Sequence, residues 1–163
     1  MLWESNNMAI MVRDYIPQDW VSIDNIVLNA ENSGDVFLET EKRNISIFST
    51  HSDYGRVIVA EDATTKQIVG FAALLFEWRA LVIQSIITHH KHLRQGIGRR
   101  LIDRIKELAE SYATIDVIRI DTGDFMNYAQ KFYKDYGFIQ SGYVAHYLSW
   151  NNNQIIFVFP VKR

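Results

Sequence analysis

The spacing of hydrophobic residues along the chain separates strands, with a period of about two, from helices, with a period of about 3.6. Strands are predicted over residues 8–13, 56–61, 67–77, 80–88, 115–121, 138–150 and 154–161. Helices are predicted over residues 17–30, 97–112 and 124–136, with a further short helix around 39–48. Hairpins and strand–helix–strand units occur together in this order, which predicts a mixed sheet with helices on both faces.

Composition places the chain among globular proteins and removes several kinds of site. The 163 residues are 48% hydrophobic and 22% charged, which suits one domain over residues 1–163. The absence of cysteine excludes disulfides, thiolate zinc sites and cysteine nucleophiles, and favours a cytoplasmic protein. A net charge of −2 does not indicate nucleic-acid binding. The apolar runs are too short for a membrane span, and the N-terminus lacks a signal-peptide pattern.

The segment IITHHKHLRQGIGRR, residues 86–100, carries the clearest binding signal. It joins a predicted strand to the most strongly amphipathic helix through a turn that contains Gly96 and Gly98. N–H groups at a helix start have no internal partners, and glycines let a ligand approach them closely. Six of the seventeen basic residues lie between Lys91 and Lys106, where Asp103 is the one acid. We interpret the turn as a phosphate-binding site, although a tight turn without a ligand would use the same glycines.

Two other phosphate-binding motifs fail on the same residues. A P-loop requires Lys and then Ser or Thr after its last glycine, whereas Gly98 is followed by Arg99 and Arg100. A dinucleotide-binding fingerprint requires a third glycine at position 101, which is Leu101. Neither a P-loop nor a dinucleotide-binding site is therefore expected at this turn.

A second motif, NYAQKFYKDYGF, occupies residues 127–138. Together with RQGIG at residues 94–98 and the order of the predicted elements, it resembles the GNAT superfamily of acyl-CoA-dependent N-acetyltransferases. The resemblance is good over the core motif region, about residues 57–138, and looser for the first strand and helix and for the final hairpin. It implies a layered α/β fold with a mixed, mostly antiparallel central sheet, helices on both faces and two splayed parallel strands in the centre.

The resemblance also implies a reaction and a donor site. Members transfer an acetyl group from acetyl-CoA to an amine by direct attack, and the acceptor here is expected to be a primary amine of a small molecule or a peptide. Diverging parallel strands expose N–H and C=O groups that an extended pantetheine arm can bond. The residues implied to bind the arm are Ile86, Ile87 and Thr88, with Ile87 or Thr88 donating an N–H to the oxyanion. The residues implied to hold the pyrophosphate are Arg94, Gln95, Gly96, Ile97, Gly98 and Arg99.

Two residues of the second motif have implied roles as well. Asn127 corresponds to a residue that helps hold the cofactor on the opposite wall of the cleft. Tyr133 corresponds to the tyrosine that family members often use to protonate the departing thiolate. Because Tyr133 also lies on the apolar stripe of a predicted helix, a purely structural place in the core is the alternative.

The chain departs from the family pattern in two places. Leu93 stands where Gln or Arg is usual, although Arg94 follows directly. Many relatives have a glutamate on the fourth strand as general base, whereas residues 81–87 offer only Gln84. The candidate substitutes are Glu77, Asp121 and His89. A water chain, or direct capture of the neutral amine, is an equal alternative.

Three further expectations concern metals, the rival function and partners. His89, His90 and His92 invite a metal interpretation, but neighbouring residues of an extended turn point apart, so no metal is expected. A non-catalytic acyl-CoA-binding sensor or interaction domain on the same fold is the rival function, which the missing glutamate favours. Residues 28–55 and the final hairpin are expected to form the acceptor pocket, and a homodimer is in keeping with the resembling family.

Overall fold

The computed structural model describes residues 9–30, 35–149 and 151–161. Its strands are β1 (Ile10–Asp14), β2 (Gly55–Asp62), β3 (Ile68–Glu77), β4 (Ala80–Thr88), β5 (Val117–Gly123), β6 (Ile139–Ser149) and β7 (Asn152–Pro160). Its helices are α1 (Trp20–Leu28), α2 (Asp35–Thr50), α3 (Ile97–Ser111) and α4 (Asn127–Tyr136), with 3₁₀ turns at Pro17–Asp19 and His90–His92. The predicted order of elements is confirmed. Within the described ranges, no helix is both long and apolar enough to cross a membrane.

Two helices differ from the sequence prediction in their bounds. The helix expected around residues 39–48 is the longer α2, which runs into the loop before β2. Helix α4 begins at Asn127 and not at Asp124, because the Asp124 carboxylate accepts hydrogen bonds from Asn153 instead of capping the helix. Met8 and Trp150, where two strands were predicted to begin and to end, lie outside the described residues.

The fifth strand also differs, in which of its residues are buried. The sequence predicted a strand over residues 115–121 with Ile115, Val117 and Ile118 as its apolar positions, whereas β5 runs from Val117 to Gly123 and its buried residues include Ile118 and Ile120. The cause is a turn before the strand, in which the Ile115 N–H donates to the Tyr112 carbonyl at 3.2 Å. The strand therefore begins two residues later than predicted, and Val117 is only half-buried, whereas Ile115 and Ile118 are buried as predicted.

The described strands form one seven-stranded sheet in the order β1-β2-β3-β4-β5-β7-β6. Neighbouring strands are antiparallel except β4 and β5, which pair in parallel over residues 80–83 and 117–120. Beyond Ile83 and Ile120 these two strands have no register with each other, although β4 continues to Thr88 and β5 to Gly123. The centre of the sheet therefore contains a gap, named the β4–β5 opening here, as the implied fold requires.

Each face of the sheet has its own hydrophobic core. Helices α3 and α4 cover one face, where Leu101 and Ile105 are fully buried against the strands. Helices α1 and α2 cover the other face, where Ile23 and Ile45 pack against Phe71. Side chains of a strand alternate between faces, so consecutive residues beside the β4–β5 opening belong to different cores. Residues beside the opening therefore contribute to both the α3/α4 face and the α1/α2 face.

Candidate functional site

The β4–β5 opening is lined by two strand edges that lack a partner strand. β4 remains paired with β3 as far as Thr88, and β5 remains paired with β7 as far as Gly123. A register shift in β4 leaves Gln84 as a bulge directly after the last residue that pairs with β5. Bulges re-aim the backbone and end pairing, and they are frequent beside active sites. The free edges can therefore bond an extended ligand that carries amide groups.

The direction of the backbone amides decides which residues of β4 face the opening. The His89 N–H donates to the Val69 carbonyl at 2.8 Å, so it points towards β3. Because N–H groups alternate between the two edges of a strand, Ile87 also faces β3, whereas Ile86 and Thr88 face the opening. Of the three residues implied to bind pantetheine, Ile86 and Thr88 thus have backbone groups available there, and Ile87 bonds within the sheet.

The turn between β4 and α3 is suited to an anion. Arg94 and Gly96 have positive φ values of 61° and 79°. A Cβ added at Gly96 would meet no atom within 4 Å, so the backbone conformation and not crowding favours glycine there. The first helical hydrogen bond runs from the Arg100 N–H to the Gly96 carbonyl at 3.1 Å, and no side chain caps this helix start. The N–H groups of the three residues between them are available to a phosphate.

Gly98 brings the two sequence motifs into contact. A Cβ added at Gly98 would lie 3.3 Å from Cζ of Phe132, which belongs to α4. A larger residue at position 98 would therefore require the Phe132 ring to move by a few tenths of an ångström. The glycine has a packing reason that its sequence context did not show, and this contact places the start of α3 beside the NYAQKFYKDYGF helix.

The basic side chains around the turn differ from those further along α3 in their ion pairing. In the second half of α3, Arg104 and Lys106 pair with glutamates one turn further on. None of the ion pairs between described residues involves Lys91, Arg94, Arg99 or Arg100. Positive charge at a helix start, where the helix dipole is also positive, favours a bound anion.

Tyr133 lies in the core beside the beginning of the opening. Its ring packs at centroid distances of 5.5 Å from Phe132, 5.9 Å from Phe138 and 5.9 Å from Phe157. Phe157 pairs with Ile120, the last residue of β5 that is bonded to β4. Burial raises the pKa of Tyr133 well above its ordinary value, so the hydroxyl keeps its proton.

Asn127 occupies the first position of α4, where its side chain is exposed. The preceding residue, Met126, supplies no side-chain cap, so the first N–H groups of α4 are also available to a ligand. Gln130 fixes this helix start to β5 by donating to the carbonyls of Gly123 and Asp124 at 3.1 and 3.0 Å. The arrangement puts Asn127 just past the end of β5, across the opening from the glycine turn.

The contacts do not favour any of the three residues considered as general base. Asp121 accepts two N–H bonds from Arg119, at 2.9 and 2.7 Å, and one from Gln154 at 2.8 Å. Glu77 is exposed at the far end of β3 and lies 3.8 Å from the same arginine. His89 is buried, and burial lowers its pKa, which weakens it as a base. Each of these groups is occupied, distant or poorly basic.

One polar residue near the opening was missed by the sequence analysis. Glu41 in α2 is buried, with 3% of its surface exposed, and its carboxylate accepts a short hydrogen bond from the Ser85 hydroxyl in β4. The available signal was helical spacing, since Glu41 falls on the same stripe as Ile45 and Phe48, which are buried. A carboxylate on an apolar stripe is unusual and could have been noted.

The three clustered histidines lie close to one another after β4. The rings of His89 and His90 are stacked 4.5 Å apart, and His92 meets His89 edge-on at 5.4 Å. Over the ranges that the structure describes, there is no group of three or more His, Cys, Asp or Glu side chains with the geometry to hold a metal ion.

Comparison with known structures shows which proteins have this fold. A GNAT-family protein from Desulfovibrio desulfuricans superposes with a TM-score of 0.84 at 14% identity, covering 94% of this chain and 100% of that one. The ribosomal-protein-S18-alanine N-acetyltransferase of Escherichia coli gives 0.77 at 15% identity, covering 94% and 95%. The spermidine N-acetyltransferase of Vibrio cholerae, in complex with CoA and spermine, gives 0.74 at 21% identity, covering 93% and 95%. No curated protein matches the sequence.

The sequence itself carries the family assignment. The profile of the acetyltransferase (GNAT) domain matches residues 53–140, more than half of the chain. This range includes the glycine turn, both strands of the β4–β5 opening and the motif on α4. The chain therefore belongs to the GNAT acetyltransferase family.

Proposed function

We propose that the protein transfers an acetyl group from acetyl-CoA to a primary amine of a small molecule or a peptide. The observation that carries the proposal is the β4–β5 opening, which lies directly beside an uncapped, positively charged helix start. The free backbone amides of β4 suit the pantetheine arm of coenzyme A. The turn that follows the strand suits its pyrophosphate.

The residues present fit the donor. The backbone of Ile86 and Thr88 faces the opening and would bond the pantetheine amides. Ile87 lies between them and pairs with β3. The residues that would hold the pyrophosphate are Arg94, Gln95, Gly96, Ile97, Gly98 and Arg99. Asn127 would bound the site from α4. When bound, acetyl-CoA supplies an activated thioester carbonyl.

Two groups of the chain suit the chemistry of acyl transfer. An N–H directed into the opening, that of Thr88 or Ile86, can donate to an oxygen that gains negative charge, which typically contributes a factor of about 10²–10³ in rate. The Tyr133 hydroxyl holds its proton and can donate it to the leaving sulfur, because burial disfavours the phenolate. Since the chain has no cysteine, the amine is expected to attack directly without a cysteinyl intermediate.

The acceptor class follows from the family and from two similar structures. One is described as a spermidine N-acetyltransferase and the other as a ribosomal-protein-alanine N-acetyltransferase, so both acylate nitrogen. Their acceptors differ greatly in size, and the feature they share is an amine. The proposal therefore extends to the reacting group and not to the rest of the acceptor.

The test is a screen of amines with the purified protein and acetyl-CoA. The panel contains polyamines, aminoglycosides, amino acids and peptides with free N-termini, and the readout combines release of CoA thiol with the mass of the product. We expect one class to give stoichiometric thiol and an acceptor heavier by one acetyl group. Tight binding of acetyl-CoA in calorimetry without transfer to any amine would instead support the non-catalytic acyl-CoA-binding function.

A further inference from the structure

Glu41 is a buried carboxylate that forms no ion pair with any residue that the structure describes. Of the other buried carboxylates, Asp19 and Glu61 share the guanidinium of Arg13 at 2.7 Å each. Asp62 accepts hydrogen bonds from two backbone N–H groups of the turn that follows it. No ion pair between described residues includes Glu41, and the nearby Lys42 lies 3.8 Å from Glu39 on the exposed side of α2. Within the described part of the chain, its one hydrogen-bond donor is the Ser85 hydroxyl.

An uncompensated carboxylate in this position does not help the protein to fold. Removing a charge from water costs several kcal/mol, and apolar side chains of similar volume usually serve stability as well or better. Residues Ile45 and Phe48 on the same stripe show that α2 packs through apolar contacts. The presence of a carboxylate there points to a use other than packing.

Ser85 places this carboxylate at the reaction centre of the proposed function. It lies two residues beyond Ile83, where pairing with β5 ends, and directly after the bulge at Gln84. It is also adjacent to Ile86, whose N–H faces the opening. The side chain of Ser85 points to the α1/α2 face, as its bond to Glu41 shows.

The donor and the acceptor of the proposed reaction would approach the opening from opposite faces of the sheet. The phosphate site and Tyr133 lie with α3 and α4, so the donor occupies that side of the opening. An acceptor amine must then reach the thioester from the α1/α2 face, since the donor and its helices fill the other. Ser85 and Glu41 lie on this face. The inference therefore rests on the proposed function.

We propose that the Glu41 carboxylate receives, through the Ser85 hydroxyl, the proton that the acceptor ammonium loses before it attacks. The Ser85 oxygen takes a proton from the ammonium group while its own proton passes to Glu41. The products are a neutral amine and a neutral carboxylic acid, so charge and atoms balance. Burial raises the pKa of Glu41, which makes it a stronger base than an exposed glutamate. Ser85 is the group that touches the substrate, and Glu41 acts through it.

The decisive variant is Glu41→Gln, which keeps the size and the hydrogen-bond acceptor for Ser85 while removing the base. With an amine identified in the screen, we expect kcat/KM at neutral pH to fall by roughly 10²-fold. The acidic limb of its pH profile should shift relative to wild type measured with the same amine, while the Kd of acetyl-CoA is unchanged. Ser85→Ala should lower kcat/KM in the same direction. The matched control is Glu39→Gln, an exposed glutamate of the same helix, which should behave as wild type.

A second readout does not require turnover. Because burial raises its pKa, Glu41 contributes stability that is present below the pKa of an unfolded glutamate, about 4.3, and is lost as the pH rises through the folded value. The thermal stability of Glu41→Gln relative to wild type should increase as the pH rises, and that of Glu39→Gln should not. Parallel curves for wild type and Glu41→Gln would show that the carboxyl carries no such charge, and would overturn the inference.

The kinetic outcomes separate the inference from the function on which it rests. Suppose that the wild type transfers acetyl groups and that folded Glu41→Gln has the same turnover and pH profile. This result would reject Glu41 as the proton acceptor and leave the acetyltransferase function standing. A Glu41→Gln variant that is less stable but has the wild-type pH profile would assign Glu41 a purely structural role. No transfer by the wild type to any amine would reject both.

Discussion

The α3/α4 face and the α1/α2 face contribute different kinds of polar group to the β4–β5 opening. On the α3/α4 face, the candidate donor site comes from two short stretches, residues 86–99 and 127–133, and relies largely on backbone N–H groups. On the α1/α2 face, the polar groups are side chains from distant parts of the chain. Glu41 and Ser85 are 44 residues apart, and Asp121 and Gln154 are 33 apart.

This difference explains why one half of the site has a sequence motif and the other does not. Backbone donors need a particular conformation, which glycines such as Gly96 permit, and the conformation is encoded locally. Side-chain pairs across the sheet need only a polar residue at each of two positions that the fold brings together. The donor half can therefore be identified without a structure, whereas the acceptor half of each protein must be located in its fold.

Tyr133→Phe tests the donor half through its chemistry, and the largest effect is expected here. The substitution keeps the ring among its aromatic neighbours and deletes the proton donor, so kcat should fall by roughly 10²-fold with little change in the Kd of acetyl-CoA. Tyr136→Phe, one turn further along α4, removes a hydroxyl that bonds Asp103 at 2.6 Å and is the matched control. Wild-type turnover in Tyr133→Phe, measured where chemistry limits the rate, would make the residue a core tyrosine only.

Gly98→Glu tests the backbone character of the donor half. Its charge lies at the proposed phosphate site, and we expect the Kd of acetyl-CoA to rise by roughly tenfold or more, about 1.4 kcal/mol. Because a Cβ here lies 3.3 Å from Phe132, Gly98→Ala measures the packing contribution separately. Arg104→Glu changes the charge by two units further along α3, yet it should leave the Kd nearly unchanged, since position 104 lies beyond the first turn of the helix. An unaltered Kd in folded Gly98→Glu would contradict the phosphate assignment.

Gly55→Ala tests how tightly the α1/α2 face is packed. A Cβ at Gly55 would lie 2.4 Å from the Leu74 carbonyl oxygen and 2.6 Å from the Phe48 ring, so β2 or α2 must shift. The expected loss is about 1–3 kcal/mol in the free energy of unfolding, measured by urea denaturation. Ser46→Ala, exposed on the same helix, should change it by no more than about 0.5 kcal/mol. Equal stability of Gly55→Ala and wild type would show that α2 is loosely attached.

Removal of metal ions should have the smallest effect on both halves. We expect acetyl transfer to be the same with and without EDTA, since the described residues contain no cluster of metal ligands. The control is a repeat with zinc added back after dialysis. A large loss of activity that zinc or another divalent ion restores would return His89, His90 and His92 to the candidate site.

The sequence by itself determined the order of elements, the helix start at Ile97 and the identity of the fold family. Each of these features depends on a short segment of the chain. The segments contain hydrophobic periodicity, a glycine that takes a positive φ, and a run of aromatic residues at helical spacing. The bounds of β4 agree with the prediction for the same reason, since a turn and a glycine-containing loop delimit an apolar run.

Only the tertiary structure decided which groups meet at the opening. The direction of each amide of β4 depends on its register with β3, which turned the Ile87 N–H away and the Ile86 and Thr88 N–H groups towards a ligand. The environment of a carboxylate likewise depends on what packs over it. Asp121, which looked suitable in the sequence, accepts a hydrogen bond from Gln154 on β7, whereas Glu41 accepts one from Ser85 and pairs with no cation among the described residues. Contacts between distant segments set hydrogen bonding and desolvation, and these quantities have no local signature in a single chain.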